Sequence, residues 1–186
     1  MSLKIKFILV VILMIAARTS VNAQRIALAT NLIEDVVILT PNIGVDLVLS
    51  DRQSLSFDTS IAPYKISDTF YNKCMTFRAG YKYWFSQAFY AHYIGVDAIA
   101  SSSDVLIRNT TFRDEYIGLG LGYGYSFIIS KRLNLVPHIG VGLAYGKSYD
   151  GYDHMGDSGI GVQAQATTGI KPVITRLGVT IQYVLR

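Results

Sequence analysis

Residues that could support chemistry are concentrated in one glycine-containing segment near the end of the chain. Three aspartates and a histidine lie close together there, at Asp150, Asp153, His154 and Asp157. Clustered carboxylate oxygens suit a hard divalent cation. Their spacing matches no calcium-binding loop, so we interpret the segment as a solvated surface loop and expect neither a metal site nor a cofactor.

The histidines are the other candidates, because a histidine beside a serine and an acid can activate a nucleophile. His92 adjoins a predicted tight turn. His138 falls on a glycine-lined strand face, where a hydrogen-bonded structural histidine is the simpler interpretation. The sequence has no Gly-x-Ser-x-Gly, His-Glu-x-x-His or phosphate-binding glycine motif. We therefore expect no enzyme. A lipid-modifying enzyme is the alternative, favoured if His138 or His154 lies within hydrogen-bond reach of a serine and an acid.

The N-terminus has the pattern of an export signal. Lys4 and Lys6 precede an apolar run over residues 7–17, which is too short to span a bilayer as a helix. This pattern predicts a cleaved signal peptide at 1–23 and a mature domain at 24–186, with a retained anchor as the alternative. The only cysteine is Cys74, so neither a lipid-acceptor thiol after the cut nor an internal disulfide is expected.

Charge and hydropathy narrow the class of protein. The full chain carries +4, but the leader holds Lys4, Lys6 and Arg18 and no acid, so 14 basic residues face 13 acidic ones in the mature part, a net +1. A nearly neutral chain gives no reason to expect nucleic acid as a partner. The hydrophobic fraction is 51%, yet no segment beyond the leader approaches about 20 consecutive apolar residues. A membrane protein that crosses with strands accounts for both facts.

Alternation with a period of two recurs through the mature chain. Between 115 and 129 the odd positions carry bulky apolar side chains, whereas the even positions 118, 120, 122 and 124 are glycines. Successive side chains of a strand point to opposite faces, so this pattern predicts strands with one apolar face.

Turn residues divide the chain into eight predicted strands. They lie at 25–33, 41–50, 53–64, 73–85, 88–102, 115–129, 132–148 and 173–186. Tight turns at 50–53, 85–88 and 130–132 alternate with a shorter connection at 34–40 and long polar loops at 65–72, 103–114 and 149–172. This is the plan of an all-β, closed antiparallel up-and-down transmembrane β-barrel with short periplasmic turns and longer extracellular loops.

The apolar face could point outward to lipid or inward, as in a soluble lipocalin-like carrier. The glycine row favours the first arrangement, because glycines inside a narrow barrel make room for larger side chains opposite them. Aromatic residues near the predicted strand ends favour it too, since such girdles lie at membrane interfaces. The predicted girdle comprises Tyr81, Tyr83, Trp84, Phe85, Phe89, Tyr90 and Tyr145.

Charged residues of both signs fall on the polar face, which is predicted to be the interior. They are Asp46, Asp58, Arg78, Lys82, Asp97, Arg132 and Arg176. Asp46 and Asp58 lie on adjoining strands and would repel each other without nearby cations. We predict a salt-bridged plug that fixes the shape of the barrel. A charged path for ions, and hence a minor pore, is the alternative.

Several segments resemble a known family. QRIALATNL at 24–32, continuing as LTPNIGVD at 39–46, resembles the start of the Bacteroidota family catalogued as domain of unknown function 3575. YWF at 83–85, AHYIG at 91–95, YGY at 123–125, KRLNL at 131–135 and TRLGV at 175–179 agree in order. The chain departs from the family at Ala91, where glycine is common, and at Arg186, where outer-membrane barrels often end in an aromatic residue.

The resemblance covers nearly the whole mature chain and supplies no activity. It implies an outer-membrane barrel in a Gram-negative bacterium, with a link to surface fimbriae. We therefore expect a non-enzymatic scaffold that displays surface loops, with outer-membrane lipid around it and a fimbrial or other surface protein as partner.

Overall fold

Eight β-strands account for most of the computed structural model, which describes residues 25–67, 70–107, 110–153 and 166–185. In chain order they are β1 (Ile26–Asn31), β2 (Asn42–Ser50), β3 (Gln53–Ser67), β4 (Phe70–Trp84), β5 (Ala91–Ile107), β6 (Thr110–Ile128), β7 (Leu133–Asp153) and β8 (Ala166–Leu185). Each strand is antiparallel to the next, and β1 also pairs with β8, with Ile26 opposite Leu185. The sheet thus closes into a barrel, and the predicted eight-stranded up-and-down order is confirmed.

The only helical element in the described part is a π-helical turn, Ile33–Val37, between β1 and β2. No helix among the described residues is both long and apolar enough to cross a bilayer. The predicted signal peptide at 1–23 lies outside the described residues.

The strands extend further than their apolar patterns predicted. β3 and β4 continue to Ser67 and Phe70, and β5 and β6 continue to Ile107 and Thr110. The prediction of long loops at 65–72 and 103–114 was therefore wrong, because backbone pairing continues where the side chains become polar. In the third predicted loop, 149–172, β7 reaches Asp153 and β8 begins at Ala166.

Alternation places apolar side chains outside the barrel. On β6, Ile117, Leu119 and Leu121 are 64–68% exposed, whereas Gly120 between them is buried. Similar outward residues on the neighbouring strands form what we call the apolar belt. It includes Phe57, Phe77, Val96, Ile117, Leu119, Leu121, Val141, Leu143, Ile170 and Ile174.

The glycine row faces inward and accommodates a bulge in β8. Gly140 is opposite Arg176 while Val141 is opposite Ile174, so Thr175 is an extra residue. Thr175 and Arg176 are consecutive, and both are buried. A Cβ atom on Gly120 would lie 2.6 Å from Thr175 Cγ2, so a glycine is needed where the bulge presses on β6.

Strands β1 and β2 are shorter than the other six strands, so the sheet is shorter on that side of the barrel. β8 pairs with β7 from Ala166 onward but with β1 only from Thr180 onward. Pro172 therefore lies where β8 has no second strand neighbour in the described part of the chain, and Pro63 lies in the matching stretch of β3. Proline has no N–H to donate, so both prolines occupy positions where a strand edge tolerates them.

An apolar core closes the end of the barrel that carries the short turns. It comprises Ala27, Trp84, Ala88, Phe89, Tyr93 and Val136. The turn between β4 and β5 folds back beneath the strands, and Phe89 adopts a left-handed backbone conformation with φ 69°. Its carbonyl accepts hydrogen bonds from Ser126 Oγ at 2.8 Å and from Asn134 Nδ2 at 3.0 Å, which stabilise the turn in this position.

Candidate functional site: a charged layer inside the barrel

A layer of ion pairs lies above the apolar core. It contains six of the seven charged residues predicted for the interior: Asp46, Asp58, Arg78, Lys82, Asp97 and Arg176. They come from five strands and share the face that carries the glycines. Alternation is therefore sufficient to bring them together.

Lys82 and Asp46 form the part of the layer nearest the apolar core. Lys82 Nζ lies 2.9 Å from Asp46 Oδ1, with the two side chains 8% and 4% exposed. Gln182 Nε2 donates to the other oxygen, Asp46 Oδ2, at 2.6 Å. The ammonium also lies 5.4 Å from the centre of the Tyr93 ring. Both oxygens of this buried carboxylate are thus satisfied, as burial of a charge requires.

Arg176 connects acids from two other strands. Its Nε donates to Asp97 Oδ1 at 2.8 Å, and its Nη2 lies 2.9 Å from Asp58 Oδ2. Nη2 also donates to Ser56 Oγ at 3.1 Å. A Cβ on Gly80 would lie 2.6 Å from that hydroxyl oxygen, so the glycine leaves room for the guanidinium.

Arg78 joins the layer to the π-helical turn. Its Nη1 lies 2.8 Å from Asp58 Oδ1, and its Nη2 lies 2.8 Å from Glu34 Oε1. Glu34 also accepts hydrogen bonds from Asn31 Nδ2 at 3.0 Å and from Ser60 Oγ. Sequence reasoning missed Glu34, because the 34–40 connection has no period of two. An acid three residues after the inward-facing Asn31 was the available signal.

Arg132 does not belong to this layer, and its prediction as an interior residue was wrong. It is exposed in the turn before β7, where its Nη1 donates to Tyr183 Oη at 3.4 Å. The alternation rule was applied one residue too early, since β7 begins at Leu133.

Neither histidine in the described part of the chain, His92 or His138, has a catalytic neighbourhood there. His138 faces the interior beside Arg78 and Lys82, and no hydrogen bond joins it to a serine or an acid in the described part. His92 is exposed on the outer face, where its Nδ1 contacts Tyr123 Oη. His154 lies outside the described residues.

The metal-binding candidates are only partly described. Asp150 and Asp153 are among the last residues of strand β7, while His154 and Asp157 lie outside the described residues. Where the structure describes the chain, no group of three or more His, Cys, Asp or Glu side chains is arranged to hold a metal ion.

The predicted aromatic girdle divides into two sets. Tyr81, Tyr83, Phe85, Tyr90 and Tyr145 are exposed on the outside. Trp84 and Phe89, by contrast, are 0% and 4% exposed, so their assignment to the girdle was wrong. Trp84 is two residues after Lys82 on β4, so it points to the same inward face. Its Nε1 donates a hydrogen bond to Ser54 Oγ at 2.9 Å. Phe89 is carried inward by its turn.

Outward aromatic residues that the prediction omitted complete the set at the short-turn end. His92 and Tyr125 have ring centres 4.5 Å apart, and Tyr125 and Phe127 have ring centres 4.4 Å apart. Their positions on the odd face of β6, and beside the β4–β5 turn, were the signal that could have identified them.

Among the described residues, the charged layer encloses little free space. One cavity, with a volume of about 30 Å³, lies within the charged layer and is lined by Glu34, Asp46, His138 and Arg176 among others. Larger hollows of 1410 and 610 Å³ are lined mainly by outward-facing side chains such as Phe77, Ile117 and Tyr145. The charged layer can therefore brace the strands against one another.

Comparison with known proteins identifies a family but no characterised relative. No curated protein matches the chain, and no solved structure matches it. A family model described as "Protein of unknown function (DUF3575)" matches residues 8–185, almost the full length. The chain therefore belongs to the DUF3575 family.

Proposed function

We propose that the protein is a non-enzymatic outer-membrane β-barrel that displays at the cell surface the strand ends and connections opposite the β2–β3, β4–β5 and β6–β7 turns. The observation that carries the proposal is the distribution of side chains, which is the inverse of that in a soluble barrel. Asp46, Lys82, Asp97 and Arg176 are at most 9% exposed, whereas Leu121 and Ile170 are 68% and 74% exposed.

The free energy of hydration favours lipid around such a surface. Each Å² of apolar surface left in water costs about 25 cal/mol, and the belt encircles the sheet. In lipid every backbone polar group must find a partner within the protein, a requirement that a closed sheet meets. The outward aromatic residues at the short-turn end suit a membrane interface.

A scaffold role fits the interior better than a pore or a ligand carrier does. The ion pairs cross the barrel above an apolar core, and the cavity among the described interior residues is about 30 Å³. Ligand sites for small molecules typically have a volume of about 300 Å³ or more. A fimbrial or other surface protein is the proposed partner of the displayed connections, on the resemblance alone.

Membrane embedding can be tested with the refolded mature chain. We expect a folded monomer in neutral detergent that floats with phospholipid vesicles after detergent removal and precipitates when vesicles are omitted. A mature chain that stays monodisperse in buffer without detergent would overturn the proposal.

The orientation can be tested in intact cells with single cysteines in a Cys74→Ser background. Thr110→Cys lies at the start of β6, and Lys131→Cys lies in the turn just beyond its other end. A membrane-impermeant maleimide should label Thr110→Cys on intact cells and Lys131→Cys only after lysis. The reverse pattern would contradict surface display of the end at which β6 begins.

A further inference from the structure

The outer face of the barrel changes from polar to apolar within one step along strands β5 to β8, while β4 carries the apolar residues Met75 and Phe77 at both levels. One row across these strands reads Met75, Ser102, Glu115, Lys147 and Thr168. The next row reads Phe77, Ala100, Ile117, Tyr145 and Ile170. Such a boundary marks the level at which the head groups of a lipid layer would meet its acyl chains.

A hollow of 610 Å³ lies across this boundary. Phe77 and Ile117 flank it at 49% and 66% exposure, and Ala100 lies between them in the same row. The small side chain of Ala100 sets the depth of the hollow. The adjoining 1410 Å³ hollow shares these three residues and continues over Ala79 and Ala98 in the next row of the belt.

The polar rim of the hollow carries a surplus positive charge. Two charged side chains line the hollow, Glu115 and Lys147, and Arg113 pairs with Glu115, so two cations face one acid among the side chains that the structure describes there. Arg113 Nη2 lies 2.6 Å from Glu115 Oε1, which compensates the one carboxylate that lines the hollow. Lys147, also in the lining, is exposed and makes no ion pair with another described residue.

We propose that this hollow, which we name the rim groove, binds a phosphate-bearing lipid of the surrounding membrane. The phosphate pairs with Lys147, beside the Thr168 hydroxyl, and one acyl chain lies on Ala100 between Phe77 and Ile117. Charge complementarity at the rim and continuity with the apolar belt select this occupant. The inference rests on the proposed membrane embedding and adds one specific lipid site to it.

The test uses the refolded mature chain in neutral detergent and native mass spectrometry. The probes are didecanoyl phosphatidic acid and didecanoyl glycerol, which share both chains and differ in the phosphate. We expect one phosphatidic acid per chain to be retained at least five times more than the glycerol. Lys147→Gln should lower that retention at least fivefold, whereas Lys131→Gln, an exposed lysine at the opposite end, should leave it unchanged.

A second pair of variants tests whether the acyl chain binds in the groove over Ala100. Ala100→Phe fills the groove and should lower retention of both probes, whereas Val96→Phe, outward on the same strand, should not. Circular dichroism and the mobility of the unheated protein in detergent gels would verify that each variant is folded.

Three results would overturn the inference. The first is equal retention of the two probes, and the second is an equal loss of phosphatidic acid retention in Lys147→Gln and Lys131→Gln. The third is a detergent-stable dimer whose formation is abolished by Ala100→Phe, because a second copy of the chain would then occupy the groove. Each can occur while the wild-type chain still floats with vesicles. Failure of the groove is therefore distinguishable from failure of the proposed embedding.

Discussion

Arg176 and Asp97 lie on strands that are not neighbours, β8 and β5, yet the Arg176 Nε donates to Asp97 Oδ1 at 2.8 Å. The same guanidinium reaches Asp58 on β3 at 2.9 Å. One side chain thus braces three strands, because the bulge at Thr175 turns it into an interior where glycines on β4, β6 and β7 leave room for it.

Removing this brace should weaken the barrel. Arg176→Met leaves Asp97 and part of Asp58 buried without a cation, and loss of one partner of a buried pair costs about 3 to 5 kcal/mol. We expect a correspondingly lower free energy of unfolding for the refolded barrel in a urea titration. Arg113→Met, which breaks the exposed pair with Glu115, is the matched control and should change stability little. Equal effects of the two substitutions would contradict a structural role for the charged layer.

The inward glycines give a second prediction. A Cβ on Gly120 would lie 2.6 Å from Thr175 Cγ2 and 2.7 Å from the Val141 carbonyl oxygen, so Gly120→Ala must displace the bulge or the neighbouring strand. Overpacking of this kind costs about 1 to 3 kcal/mol, and the urea midpoint should fall accordingly. Gly169→Ala is the control, since nothing lies within 4 Å of its added Cβ. An unchanged midpoint for Gly120→Ala would show that the bulge is not packed against β6.

The alternation of side chains along strands made most of the charged layer predictable, and the residues that were assigned wrongly or missed lie outside the strands. Lys82 and Asp97 could be assigned to the interior because their strands alternate without interruption. Arg132 could not, since the rule holds only inside a strand and the first residue of β7 is Leu133. Glu34 was missed because it reaches the interior from a π-helical turn, where residues do not alternate.

The bulge shows why even a long, regular strand can mislead. Before Thr175 the odd residues of β8, such as Lys171, face inward, and from Arg176 onward the even residues do. Counting alternate residues back from the C-terminus therefore identifies the inward-facing residues of β8 correctly only as far as the bulge at Thr175. The end predicted for β5 came too early and the start predicted for β6 came too late, for a different reason. Polarity of the side chains was taken to end the strands, whereas backbone pairing does not require apolar side chains.

The turn between β4 and β5 gives a third prediction, because it contains phenylalanines on opposite sides of the barrel wall. Phe89 is 4% exposed in the apolar core, and Phe85 is 52% exposed outside. Truncation of a buried phenylalanine costs about 3 to 5 kcal/mol, so Phe89→Ala should lower the free energy of unfolding by about that amount. Phe85→Ala is the matched control and should leave stability in detergent nearly unchanged. Equal losses would place both rings in equivalent surroundings and contradict the inward assignment of Phe89.

The pH dependence of stability gives a fourth prediction, at the rim above the belt. Asp114 Oδ1 accepts hydrogen bonds from Lys171 Nζ and Ser148 Oγ, each at 2.6 Å. Partial burial alone would raise the pKa of this carboxyl. The hydrogen bonds from Lys171 and Ser148 and the charge of Lys171 oppose it and hold the pKa below the ordinary value of 3.8.

A carboxyl whose pKa is lower in the folded state stabilises the fold above its unfolded pKa. That stabilisation is lost as the pH falls through the folded pKa. Wild type should therefore have a higher urea midpoint than Asp114→Asn at pH 6, and the difference should shrink progressively as the pH falls below about 4 and through the folded pKa. Asp51→Asn, in the exposed β2–β3 turn, is the control for removal of an exposed carboxylate elsewhere and should change the urea midpoint little at pH 6. A difference for Asp114→Asn that stays the same from pH 6 down to the lowest pH at which the barrel remains folded would mean that the carboxylate charge does not stabilise the rim.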